Sequence, residues 1–121
     1  MKRDMDLVRE ILITLGDSDN SIQAGTFVDE RNDFQVVAYH FDIMQQAGLV
    51  EGTVKRGFSG NYLCAEINRM TWEGNEFLDS VQNNKVWMHV KAEIAKSAIG
   101  APFEVVKNLA ISACNDLLGG L

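Results

Sequence analysis

Gln35, Tyr39, Asp42 and Gln46 are spaced by four, three and four residues, which puts them on one face of a predicted helix. Their chemistry is hydrogen bonding. A glutamine amide can read adenine at two atoms, and a tyrosine can reach a phosphate. The strip carries no Arg or Lys, and Asp42 would repel a phosphate backbone. An exposed helix face or a protein contact is therefore favoured over base reading. A second set, Lys55, Arg56, Phe58 and Asn61, falls on the polar link between two strand-like runs. Two cations at a hairpin tip suit contact with an anionic backbone or groove. Phe58 there is either a contact residue or folds back on the hairpin.

Catalytic chemistry finds little support. His40 and His89 have no carboxylate or cysteine at ligand spacing, and His40 lies on a partly apolar helix face, which suits a structural histidine. There is no nucleophile elbow, phosphate loop or dinucleotide fingerprint. The run Asp17-Ser-Asp-Asn-Ser21 resembles the start of a calcium loop. However, Ile22 stands where that loop needs glycine and Val28 where it needs glutamate, so a solvated turn is expected. The acid pairs Asp17/Asp19 and Glu73/Glu76 lie at turns or helix starts, where capping accounts for them. Trp72 and Trp87 are expected as core anchors. Cys64 and Cys114 are expected to be reduced and buried. No catalytic residue, metal, cofactor or small-molecule substrate is expected, and the chain is read as a non-enzyme.

The elements that position these residues follow from apolar spacing. Met5, Val8, Ile11 with Leu12, and Leu15 predict a helix over residues 4–15, ended by Gly16. Residues 26–28 can form a short strand. Residues 29–33 then leave room for hardly one turn before a central helix over 33–47, with two apolar stripes: Phe34, Val37, Phe41, Met44 and Val36, His40, Ile43, Ala47. Two stripes predict burial on much of its circumference. Gly48 stands where a helix end needs a left-handed residue, and Leu49 and Val50 restart the pattern as a strand. A helix closing on Gln-Ala-Gly-Leu-Val resembles the second helix of a winged helix-turn-helix. Residues 49–55 and 62–70 then read as a hairpin around Arg56-Gly-Phe-Ser-Gly-Asn61. Thr71 is a natural N-cap for the next helix, in which Gly74 implies a close backbone approach and Trp72, Phe77, Leu78 and Val81 are the expected buried side. Helices over 85–98 and 102–118 complete the chain. The first carries Val86, Val90, Ile94 and Ala98 on one side. The second opens at Pro102 and carries Phe103, Val106, Leu109, Ala110, Ala113 and Leu117, widened by Val105 and Ile111.

The net charge of −6 is unevenly spread. Residues 1–50 hold four basic and nine acidic side chains, whereas residues 51–70 hold Lys55, Arg56 and Arg69 against Glu51 and Glu66. DNA-binding domains usually present a basic face, because phosphate neutralisation supplies most of the affinity. With 121 residues and 46% apolar side chains, the chain can bury a sizeable core. It has no run approaching a membrane span and no apolar signal region after its charged start, so a cytoplasmic location is expected.

The series Met1-Lys-Arg-Asp-Met-Asp-Leu7, Tyr39-His40 leading into Ala-Gly-Leu-Val50, Met70-Thr-Trp-Glu-Gly-Asn-Glu-Phe-Leu-Asp79 and Lys85-Val-Trp87 resembles a domain-of-unknown-function family of small bacterial and phage proteins. That resemblance implies a winged-helix fold and a home in prophages and mobile elements. It implies no activity and no binding residues. The expected fold is α+β and mostly helical: a winged helix-turn-helix-like core over residues 1–82, with two extra C-terminal helices over 83–121 that pack on the core or form a homodimer. The expected function is regulatory, through contacts with a host or phage protein. Sequence-specific DNA binding through helix 33–47 and the hairpin 49–70 is the alternative.

Overall fold

The computed structural model describes residues 2–96 and 102–117. It is an α+β chain, rich in helix: α1 (Met5–Gly16), β1 (Ile22–Gln23), a 3₁₀ turn (Ala24–Phe27), α2 (Phe34–Gln46), β2 (Val50–Arg56), β3 (Tyr62–Met70), α3 (Trp72–Val81), α4 (Asn84–Ala95) and α5 (Phe103–Leu117). The three strands form one antiparallel sheet in the order β1-β3-β2. The chain divides into two compact units, Met1–Asn75 and Glu76–Leu121.

The first unit is built on two capped helices. The Asp4 carboxylate accepts the amides of Asp6 and Leu7 at the start of α1, and the Asp33 carboxylate accepts the amide of Val36 at the start of α2. Helix α1 buries Leu7, Val8, Ile11, Leu12 and Leu15, the spacing its sequence shows. Helix α2 buries Val37, Ala38, His40, Phe41 and Met44, and the Phe41 ring meets Phe27 edge-on at 6.0 Å. The second expected stripe of α2 is less covered: Val36 and Ile43 are half-buried and Ala47 is exposed. That helix therefore keeps an accessible side.

Helix α2 ends as its glycine requires. Gly48 has φ +79°, its amide donates to Gln45 O, and the Leu49 amide donates back to Met44 O at 3.0 Å. This pair of reversed bonds is a Schellman ending, sealed by the buried side chains of Met44 and Leu49. Thr71 then ties this turn to the start of α3. Its hydroxyl donates to Gly48 O and accepts the Gly74 amide at 3.0 Å, while its own amide donates to Leu49 O at 3.0 Å. We expect Thr71→Ala to cost about 1–2 kcal/mol in urea unfolding, since it removes a cap and a second hydrogen bond together, and Thr71→Ser to restore most of it.

The short strand lies earlier than the sequence suggests. Residues 26–28 form no strand. Ile22 pairs with Ile67 and Gln23 with Glu66 instead. The next four residues wind into a 3₁₀ turn, in which Ala24 and Phe27, three apart, fall on one side and are both buried. Strand β3 carries two irregularities. Opposite β2 its register skips Asn68 and Leu63, and its burial breaks alternation at 63–64 and again at 68–69. Between the skips, Ala65 and Ile67 face the core.

The second unit takes in the rest of α3 with α4 and α5. Helices α4 and α5 pack on each other; α4 buries Val86, Trp87 and Val90, and α5 buries Val106, Ala110 and Ala113. The Phe77 and Phe103 rings meet edge-on at 5.2 Å. Asn83 caps α4 by accepting the amides of Lys85 and Val86. Of the expected tail stripes, Leu117 and Val105 are exposed and Ala98 lies outside the described residues, as does Leu118, the expected end of the last helix.

Two expectations about burial are corrected. Trp72 is 76% exposed. The buried stripe of α3 runs Gly74, Phe77, Leu78, Val81, and Trp72 lies two positions, about 200° of helix, away from its start. Cys64 is exposed on the outer face of β3 and Cys114 is only half-buried, against the expectation that both are buried. No described helix is long and apolar enough to cross a membrane.

Candidate functional site

The residues with the most chemistry meet where the accessible side of α2 faces the far end of the β2–β3 hairpin. There an open groove of about 410 Å³ is lined by Tyr39, Asp42, Ile43, Gln46, Arg56 and Tyr62. Its organiser is Tyr62, which is only 5% exposed. The Tyr62 hydroxyl donates to Asp42 Oδ2 at 2.8 Å, and Gln46, one turn further along α2, donates to Asp42 Oδ1 at 3.1 Å. Gln35 holds the backbone of Tyr62 from both sides: its Nε2 donates to Tyr62 O at 2.9 Å and its Oε1 accepts the Tyr62 amide at 2.8 Å. The primary amide thus pairs with the first residue of β3 much as another strand would.

The skipped residue explains why Tyr62 faces α2 at all. In a regular strand Tyr62 would share a face with Cys64, and Cys64 points outward. The bulge at Leu63 inserts one extra residue, turns Tyr62 inward and leaves Leu63 68% exposed. Above the Tyr62 ring lies the Arg56 guanidinium, with Cζ 4.7 Å from the ring centroid. Arg56 Nε donates to Gly60 O at 3.0 Å. Gly60 has φ +87°, and the link is closed by Gly57 and Asn61 through the Gly57 amide and Asn61 O at 2.8 Å.

The electrostatics follow from this packing. Burial of the ring pushes the Tyr62 phenol up from its ordinary value, and the hydrogen bond to Asp42 and that carboxylate's charge push the same way, against the opposing charge of Arg56. A raised folded-state value means that the stabilisation is complete below the ordinary tyrosine range, near 10, and is lost as pH rises through the higher folded value. We expect urea midpoints to fall more steeply above pH ~10 in the native chain than in Tyr62→Phe, where this contribution to the alkaline limb disappears. On the outer face of the sheet, Arg69 makes a two-point contact with Glu51, with Nε at 2.6 Å from Oε2, which holds the Glu51 carboxyl below its ordinary value. Both groups are exposed there.

Four of the eight candidate residues, Tyr39, Asp42, Gln46 and Arg56, share the groove, and Gln35 stands beside it as the clamp on Tyr62. The other three lie on the hairpin outside the groove. Lys55 is exposed opposite Cys64, Phe58 is fully exposed at the tip, and Asn61 is exposed at the end of the link. The sequence reading missed Tyr62. The signal it offered was a large amphipathic ring next to a glycine-rich link, but the inward turn depends on the bulge. His40, the neighbour of Tyr39, is fully buried and serves the core. Its Nε2 accepts the Asp4 amide at 2.8 Å and its Nδ1 lies 2.8 Å from Val36 O. An amide can only donate, so Nε2 presents its lone pair and the proton sits on Nδ1.

Chemically, the groove offers a guanidinium, a carboxylate already holding two donors, two phenols and an amide. It contains no thiol or aliphatic hydroxyl to act as a nucleophile. Among the described residues no group of three or more His, Cys, Asp or Glu side chains is arranged to hold a metal ion. The arrangement can present fixed hydrogen-bonding groups to a ligand surface.

The chain is similar to known sequences along nearly its whole length. The profile of a family described as "Hypothetical protein (DUF2513)" matches residues 2–100. An "Uncharacterized protein" of Haemophilus influenzae is 31% identical over 120 residues, covering 98% of this chain and 99% of that one. No solved structure matches significantly.

Proposed function

The chain belongs to the DUF2513 family, and we propose that it is a non-enzymatic, cytoplasmic regulatory protein of winged-helix type whose β2–β3 hairpin and adjoining groove hold a protein partner. The scaffold reading rests on element order. A helix, a short strand pairing on β3, a second helix and then a hairpin follow one another as in winged helices. The chain departs from that plan between β1 and α2, where a 3₁₀ turn stands in place of a full helix.

One observation carries the choice of partner. The two α2 side chains best suited to reading bases or repelling phosphates, Gln35 and Asp42, are engaged by Tyr62, the first through both of its polar atoms. Of the two glutamines on that strip, Gln35 is committed to the hairpin through both polar atoms and Gln46 donates to Asp42, which leaves the helix little for a major groove. The hairpin, by contrast, exposes Phe58 and Leu63 beside Arg56 and Lys55, and aromatic and arginine side chains concentrate at protein interfaces.

The test is a photo-crosslinking residue placed at Phe58 in cells, with the exposed Asn84 as control position. A discrete protein adduct at Phe58, absent from the control, is expected. Adducts to nucleic acid alone, or equal labelling at both positions, would overturn the reading.

A further inference from the structure

The partner's chemistry can be read from how Arg56 is held. An exposed arginine usually samples many rotamers, and fixing one costs entropy at the moment of binding. Arg56 is fixed in advance at two points. Its Nε is bonded to Gly60 O across the hairpin link, and its guanidinium lies on the Tyr62 ring. That ring is itself locked by the Asp42 carboxylate at its hydroxyl and by Gln35 at its backbone. Nε and one guanidinium face are therefore used, and no described residue bonds the two terminal nitrogens. A fork of that geometry matches the two oxygens of a carboxylate.

The surroundings narrow the ligand further. Residues 52–65 carry Lys55 and Arg56 and no Asp or Glu, in a chain whose net charge is −6. Phe58 and Leu63, exposed on the same hairpin, need apolar cover. Resting on the reading of the hairpin as a protein-binding surface, we propose that its partner is an acidic protein segment: an Asp or Glu side chain seated on Arg56, next to an apolar residue that covers Phe58. Asp42 tunes this site. Its charge lies in the same groove and disfavours an incoming carboxylate, while the donors from Tyr62 and Gln46 hold it in place.

The experiment uses the whole chain and short fluorescein-labelled peptides that pair Glu or Asp with Leu, Phe or Trp at varied spacing, read by polarisation. Matched peptides carrying Gln, Asn or Lys in place of the acid serve as controls. Acidic peptides bind and the controls do not. Arg56→Lys, which keeps the charge and loses the fork, weakens binding about tenfold, and Phe58→Ser weakens it by a similar factor. Asp42→Asn, which retains an acceptor for Tyr62, strengthens it severalfold. Circular dichroism and urea midpoints confirm that each variant is folded. Three results would overturn the proposal. Acidic peptides binding with no change in Arg56→Lys, or Lys-bearing peptides binding better, would each do so while leaving the protein-binding reading standing. If no peptide binds while duplex DNA does, in an Arg56-dependent manner, both fail together.

Discussion

Gly74→Ala destabilises the protein by about 3 kcal/mol, the reverse of the gain of up to ~1 kcal/mol that the same change gives in an exposed helix interior. A Cβ built at Gly74 overlaps the carbonyl oxygen of Leu49 and comes within 2.7 Å of Met70 Cγ. The Met70 side chain could change rotamer. The Leu49 carbonyl cannot move aside, because it accepts the Thr71 amide at 3.0 Å and follows the glycine turn that ends α2. Relief would have to come from moving α3 off that turn, and the Thr71 hydroxyl, bonded to both sides, would be lost with it. Gly25→Ala is the control: nothing lies within 4 Å of the added carbon, and its stability should stay within about 0.5 kcal/mol of the parent. Paired urea titrations read both. A Gly74→Ala protein as stable as its parent would mean that α3 does not press on Leu49 in solution.

His40→Ala is the second large loss, about 3–5 kcal/mol. Two costs combine. The side chain is fully buried, so its removal leaves a cavity beside α1. It also strips the Asp4 amide of its acceptor at the cap of that helix, a part-buried hydrogen bond worth about 0.5–1.5 kcal/mol. His40→Gln, whose side-chain oxygen can accept the amide, should recover part of the loss, whereas His40→Leu, of similar bulk and no acceptor, should keep the hydrogen-bond share. If His40→Leu and His40→Gln prove equally stable, the Asp4 amide has found another partner and the histidine serves only as filler.

These two positions also show what the sequence could and could not disclose. Gly74 was legible because a glycine inside a helix is costly unless a backbone passes close, and one does. Gly48 was legible for a similar reason, since a helix followed directly by a strand needs a left-handed residue between them. The helices over 33–47 and 4–15 and the hairpin were carried by apolar period and glycine placement, and the structure puts them within about a residue of those limits.

The departures arise where local pattern is outweighed by pairing. The first strand is two residues long, set by Ile22 finding Ile67 far along the chain, and no two-residue stretch carries a period to detect. The groove was half legible. The strip Tyr39, Asp42, Gln46 could be read from helical spacing, and Arg56 from its place at the tip. Tyr62 could not. Strict alternation puts it on the outer face, and only the skip at Leu63 brings it against α2. The same skip changed the meaning of Gln35 and Asp42, from a strip open to a partner into the seat of a ring. Trp72 failed for a simpler reason: a large aromatic near an apolar helix suggests the core, but its angle around α3 is wrong.

We propose that this chain presents its hairpin to protein while Gln35 and Asp42 of α2 are held by Tyr62. The most direct measurement is fluorescence polarisation of the whole chain against pooled genomic duplex fragments, titrated at low salt and again at physiological salt. No saturable binding is expected at either, for the parent chain and for Arg56→Gln alike. Tight binding at low salt that falls steeply as salt rises, and that disappears in Arg56→Gln, would contradict it.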